Sequence, residues 1–231
     1  MKKRILSLTL AFVMMFALFP ATSVYGMDDW RNIATPIVNR AQNLARIAAA
    51  IIPEQTIAPE VAGASLWAVP YVNSAITIGI VPPALQNNYT QTITRAEFAA
   101  ITVAVYENLM GEITGRYTFS DTDDINVQKA AYLGIMTGVG DGRFYPMGNP
   151  SREQVAVMFS RLATAVGQPL PMQAPTFADN GIISARAQDS AGQMQAAGVM
   201  GSVGNNNFEP QGPITREQTI VTALRLYRVI N

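Results

Sequence analysis

Three nearly identical tetrapeptides, Thr94-Arg95-Ala96-Glu97, Ser151-Arg152-Glu153-Gln154 and Thr215-Arg216-Glu217-Gln218, constrain the fold of this 231-residue chain more than any other feature. Their arginines stand 57 and 64 residues apart, and the likeness extends beyond them. A glycine followed by Ile or Val (Gly79, Gly134, Gly198) precedes each arginine by 16, 18 and 18 residues, and ten residues after each glycine comes Tyr89, Phe144 or Phe208. Pro146 and Pro210 follow the last two aromatics, and the last two copies open alike with Phe119-Ser120-Asp121 and Phe177-Ala178-Asp179. Self-similarity at a fixed period signals one supersecondary unit used repeatedly.

Each unit reads as helix, loop, helix. Val72, Ala75 and Ile76 in the first copy, and Val127, Ala130 and Ala131 in the second, have helical spacing before the glycine, which supplies a helix stop. A loop rich in Gly, Asn, Pro and Asp follows, with its aromatic expected to fold back onto the core. The tetrapeptide then starts a second helix through a capping box: Thr94 with Glu97, Ser151 with Gln154, Thr215 with Gln218. Phe98, Ile101 and Val105 give that helix one apolar face, as do Val155, Met158 and Leu162, and Ile220, Ala223, Leu224 and Tyr227. One such pair is too small to bury a core, so three must share one. The expected fold is all-α, a pseudo-threefold arrangement with the second helices around a common axis, compatible with very short β-bridges between loops.

The units are assigned to residues 65–114, 115–170 and 171–231, preceded by a signal peptide at 1–26 and a helix and linker at 27–64. Lys2, Lys3 and Arg4 ahead of an uncharged, mainly apolar run from Ile5 to Phe19 predict export, with cleavage after Gly26 or Ser23. That run is shorter than the roughly 20 residues a membrane span requires. Without the leader the chain carries 13 basic against 16 acidic residues and no basic cluster, which argues against a nucleic-acid partner. It has no cysteine and no histidine, so disulfides, thiol chemistry, Ser-His pairs and histidine-ligated metals are excluded. No acid–base carboxylate pair is identifiable, because Asp121, Asp123 and Asp124 sit in one loop. That loop fails the EF-hand pattern, having Ile125, Asn126 and Tyr132 where ligand, glycine and glutamate belong, and GVGDGR fails the dinucleotide fingerprint at Arg143. Neither a metal nor a cofactor is expected.

The arginine is the anomaly. A cation in the first turn of a helix opposes the macrodipole by about 0.3–1 kcal/mol, yet the chain places one there three times. Either each guanidinium joins the helix end in gripping an anion, or each pairs with a carboxylate such as its own capping-box glutamate or the Phe-x-Asp aspartate.

The set of Phe-x-Asp, a helix ending in Gly-Ile, Gly-Asp-Gly-Arg-Phe-Tyr-Pro at 140–146 and Ile-Thr-Arg-Ala-Glu at 93–97 resembles the S-layer homology domain family, over about Ser65 to the C-terminus. The resemblance implies three repeats forming a helical prism that anchors non-covalently to secondary cell-wall polysaccharide, often through a pyruvylated sugar. It implies a bacterial cell-surface location, with Arg95, Arg152 and Arg216 as ligands of the sugar carboxylate in grooves between repeats. Trp67 resembles the aromatic near the start of the family's first helix. The chain departs from the pattern where Glu153 and Glu217 follow the arginine, where Gln154 and Gln218 replace glutamate, and where the third copy has six extra residues before Gly198. A structural protein of the envelope that binds a protein partner, its grooves unused, is the competing expectation.

Overall fold

A computed structural model describes residues 61–231; the signal peptide read at 1–26 and the helix read within 27–64 lie outside the described residues. Among the described residues the chain forms six α-helices and no strand: α1 Val69–Ile78, α2 Arg95–Met110, α3 Ile125–Tyr132, α4 Arg152–Ala165, α5 Gln188–Ala196 and α6 Arg216–Ile230. The odd-numbered helices are the short ones that end at the repeat glycine. Gly79, Gly134 and Gly198 all take left-handed φ (87°, 71° and 67°), which an L side chain resists, so each helix terminates there and the chain reverses.

The even-numbered helices start at the arginines. In α2 and α6 the capping box is complete: the Thr94 and Thr215 hydroxyls accept the N3 amides at 3.3 Å, while Glu97 and Gln218 return to the cap amides at 2.9 and 3.0 Å. In α4 the Gln154 arm is formed at 3.0 Å, whereas the Ser151 hydroxyl faces the N3 amide without a full hydrogen bond.

The three long helices touch pairwise and build the centre of the core. Phe98 of α2 and Phe159 of α4 meet edge-on, ring centroids 4.9 Å apart, both wholly buried. Isolated antiparallel bridges at Thr92 with Thr215 and Ser151 with Pro213 tie the segments leading into these helices.

Each short helix packs chiefly on the long helix of the preceding copy. Helix α3 lies on α2, α5 on α4, and α1 closes the circle on α6. Each of these pairs has a polar or cation–π link: Lys129 Nζ to Glu107 at 2.6 Å, Ser160 Oγ to Gln193 Oε1 at 2.7 Å, and Arg225 over the Tyr71 ring at 5.7 Å. The sequence unit of helix, loop and helix is therefore not the packing unit. The short loops after Gly79, Gly134 and Gly198 carry the chain away from its own short helix to the next position around the axis.

Truncating Phe159 to alanine removes the ring that α2 packs against. Such a truncation costs about 3–5 kcal/mol. Chemical denaturation followed by circular dichroism should show a single transition displaced to lower denaturant by that amount, since the core is shared.

Candidate functional site

The first N–H groups of each long helix are not free. Arg95 and Ala96 donate to the carbonyls of Gly148 and Pro146 (2.8 and 3.0 Å), Arg152 and Glu153 to Gly212 and Pro210 (3.0 and 2.9 Å), Arg216 and Glu217 to Gln91 and Tyr89 (both 2.8 Å). Every acceptor belongs to the loop of the next copy, and the third set closes back on the first. The expectation that an anion would be held by open helix-end amides is corrected here, because loop carbonyls occupy them.

Two of the three guanidinium groups are held alike. Arg95 Nη2 donates to the Thr137 carbonyl at 2.7 Å and Arg152 Nη2 to the Gly201 carbonyl at 2.8 Å, in each case the third residue after the repeat glycine. Arg95 Nε adds a bond to the Phe144 carbonyl at 2.9 Å, whereas Arg152 Nε is a buried donor with no partner. The loop aromatic of the next copy forms the floor: Phe144 lies 4.4 Å below Arg95 and Phe208 5.3 Å below Arg152. Among the described residues neither arginine has a carboxylate within ion-pairing distance. Arg95 is partly exposed and Arg152 only 8% exposed, and burial lowers the pKa of both; Asp121 opposes this at Arg95, while at Arg152 Glu209 opposes and Arg225 reinforces it.

Arg216 differs. It is 5% exposed, its Nη2 is ion-paired with Glu97 at 2.5 Å, and its Nη1 donates to the backbone and side-chain oxygens of Asn87. The carboxylate is that of a capping box, but of the neighbouring copy rather than its own.

The aspartates of the Phe-x-Asp motifs, and Asp124 beside the first of them, have specific partners. Asp121 accepts the amides of Phe144 and Tyr145 (2.8 and 2.7 Å), and Asp179 those of Phe208 and Glu209 (2.7 and 2.8 Å). Tyr145 and Glu209 have left-handed φ of 60° and 56°, so each aspartate fixes the sharp turn that sets the aromatic floor. Asp124 caps α3 through the amides of Asn126 and Val127.

Glu153 and Glu217, only 2% and 4% exposed, stand out in the sequence as departures from the family pattern, and the structure gives them a role. Glu217 accepts the Ser65 amide and hydroxyl at 2.9 and 2.7 Å, and Glu153 accepts the Ser184 amide and Gln211 Nε2, both at 2.9 Å. Each thereby holds the following copy at the approach to its short helix. The extra residues of the third copy contain the 3₁₀ turn Asn180–Ile182 and lead to Ser184, so they build this link beside Arg152. The available signal was the pairing of glutamate after arginine with a serine three residues before the cap position of the next copy's short helix. Trp67 is 49% exposed, two residues from Ser65 and so at the α6–α1 junction near Arg216.

Among the described residues no helix is long and apolar enough to cross a membrane. Comparison with known proteins matches two segments, 118–156 and 177–220, to the S-layer homology domain. These contain Arg152 and Arg216; Arg95 and the first copy, whose loop begins Pro82-Pro83 and which lacks Phe-x-Asp, lie outside them. The chain is 34% identical over 107 residues to an endoglucanase of Bacillus sp. (strain KSM-635), covering 42% of this chain and 11% of that protein. It is 31% identical over 157 residues to an amylopullulanase of Thermoanaerobacterium thermosulfurigenes, covering 62% of this chain and 8% of that protein. The chain thus spans about a tenth of the length of these relatives.

The aspartate clamps give the fold an acid limit. Hydrogen bonds from Phe144 and Tyr145 lower the Asp121 pKa from its ordinary 3.8; at Asp179 burial pushes upward, but the amides of Phe208 and Glu209 prevail and the pKa again falls. A depressed folded-state pKa contributes stability above the unfolded value, lost as pH falls through the folded value. Thermal melting should therefore be flat above about pH 5 and decline below the ordinary value of 3.8, and the D121N/D179N variant should decline less over that range.

Proposed function

We propose that the chain is a non-covalent anchor for the bacterial cell envelope, built as three tandem S-layer homology repeats that bind an acidic secondary cell-wall polysaccharide in the grooves between repeats. The carrying observation is the state of Arg95 and Arg152. Each crosses from its own helix to the loop of the next copy, lies over that loop's aromatic, donates to loop carbonyls and forms no ion pair among the described residues. Burial disfavours a guanidinium that forms no ion pair, more so at Arg152 than at the partly exposed Arg95, and a planar carboxylate reaching it offsets that through charge-assisted hydrogen bonds. A pyruvyl ketal supplies such a carboxylate on an otherwise neutral sugar, in keeping with the resemblance.

The matched segments and the relatives' names support an envelope-associated role outside the cytoplasm, consistent with the leader read at 1–26. The relatives are named as enzymes, but this chain aligns with only about a tenth of each. The reading here is non-enzymatic. Asp121 and Asp124, the carboxylates nearest to a candidate catalytic cluster, are spent on holding a loop and capping a helix. The alternative of an envelope protein held by a protein partner draws on the exposed Leu66 and Trp67 at the α6–α1 junction.

Sedimentation with purified cell-wall sacculi separates the two. The full chain should co-sediment with native sacculi and stay in solution after chemical removal of pyruvate, while undiminished retention would favour the protein partner. R95K/R152K should lose at least tenfold in affinity at unchanged helicity, because lysine keeps the charge but cannot reproduce the planar fork. Binding by this variant at wild-type strength would remove both arginines from the site.

A further inference from the structure

The grooves repeat in sequence but not in state. Arg95 and Arg152 reach the same register, the carbonyl of the third residue after the repeat glycine. For Arg216 that residue is Pro82, and the loop there runs Pro82-Pro83 into the 3₁₀ turn Pro83–Leu85 in place of the bridged turns at Gly140 with Arg143 and Gly204 with Asn207. The Arg216 guanidinium is turned instead onto Asn87 and Glu97, so both terminal nitrogens are taken by the chain itself. Register explains the selectivity. The residue that meets an incoming guanidinium from the next copy's capping box is Glu97 for Arg216, while the corresponding residues for Arg95 and Arg152 are Gln154 and Gln218, which carry no charge.

We propose that Glu97 is a built-in substitute for the ligand carboxylate: it closes the Arg216 groove, so the chain offers two carboxylate-binding grooves, at Arg95 and Arg152, and a third that is internally occupied. This rests on the carboxylate-binding reading of the grooves given above and assigns which of them act. A sugar carboxylate entering the third groove would have to displace an anion already held inside the same chain, which is present at far higher effective concentration than any soluble ligand. The closed pair serves another purpose, since Glu97 simultaneously caps α2 through the Thr94 amide and so fastens the last copy to the first.

The experiment is calorimetric titration of the full chain with a methyl hexoside bearing a 4,6-pyruvyl ketal, together with crystals soaked in the same compound. Wild type should bind two molecules per chain, with density beside Arg95 and Arg152 only. E97Q, in which glutamine can keep the capping box as Gln154 and Gln218 do, should bind three, the added one beside Arg216. Because E97Q leaves Arg216 buried without its partner, E97Q/R216Q is tested alongside it. With no charge left alone, this double variant should match wild type in stoichiometry and affinity. Three molecules on wild type, density beside Arg216 in wild type, no added site in a folded E97Q, or a site lost in E97Q/R216Q would each overturn the proposal. No binding by wild type would instead overturn the carboxylate-anchor reading itself, and this inference with it.

Discussion

The structure depends on one exchange: the first two amides of every long helix donate to loop carbonyls of the next copy. A helix start carries donors that its own turns cannot satisfy, and burying them unpaired would cost about 1–3 kcal/mol each. Here the satisfaction is circular, copy one by copy two, two by three, and three by one. The same handover positions each short helix on the long helix of the copy before it, so no copy contains the partner of its own main surface. Stability is a property of the closed set, and the ordinary case of a linear repeat array, where units add one after another, does not apply.

That constraint accounts for the arginines as a structural matter before any ligand is considered. Placed at the first helical position, each side chain crosses to the next copy, where Arg95 and Arg152 rest on the loop aromatic and Arg216 bonds Asn87 and Glu97, so each helps to seal the junction that the amides create. The unfavourable interaction with the helix dipole is offset by a glutamate in the same first turn, Glu97, Glu153 or Glu217. The chemistry left over differs between copies because the partners differ: carbonyls alone at Arg95 and Arg152, a carboxylate at Arg216. A small change of residue at one capping position therefore alters the charge state of a groove formed with a different copy.

Much of the architecture is legible in the sequence because it is encoded locally. Helix stops at Gly79, Gly134 and Gly198, helix starts at Thr94, Ser151 and Thr215, and the apolar faces of the long helices each need only a few neighbouring residues to be read. The pairing of α3 with α2 rather than with α4 is not local, and no periodicity announces it. The roles of Glu153 and Glu217 were hidden for the same reason, since their partners Ser184 and Ser65 lie 31 and 152 residues away. The Phe-x-Asp aspartates stood in plain view as a repeated motif, but their function, bracing a left-handed turn more than 20 residues downstream, requires the loop geometry. Of the candidate site, the positions of the arginines were readable, and the insertion in the third copy signalled that the three need not be equivalent, but the pairing of Arg216 with Glu97, 119 residues away, was not readable. The Pro82-Pro83 loop that turns Arg216 aside shows only as a missing likeness in the first copy.

The link from Ser65 to Glu217 spans 152 residues and joins the start of the first copy to the beginning of the last helix. During synthesis the leading copy emerges with its short helix lacking the surface it must cover, and that surface arrives only with α6. Closure of the circle is therefore deferred until α6 has been made, and the last junction, between the third copy and the first, forms only at that point.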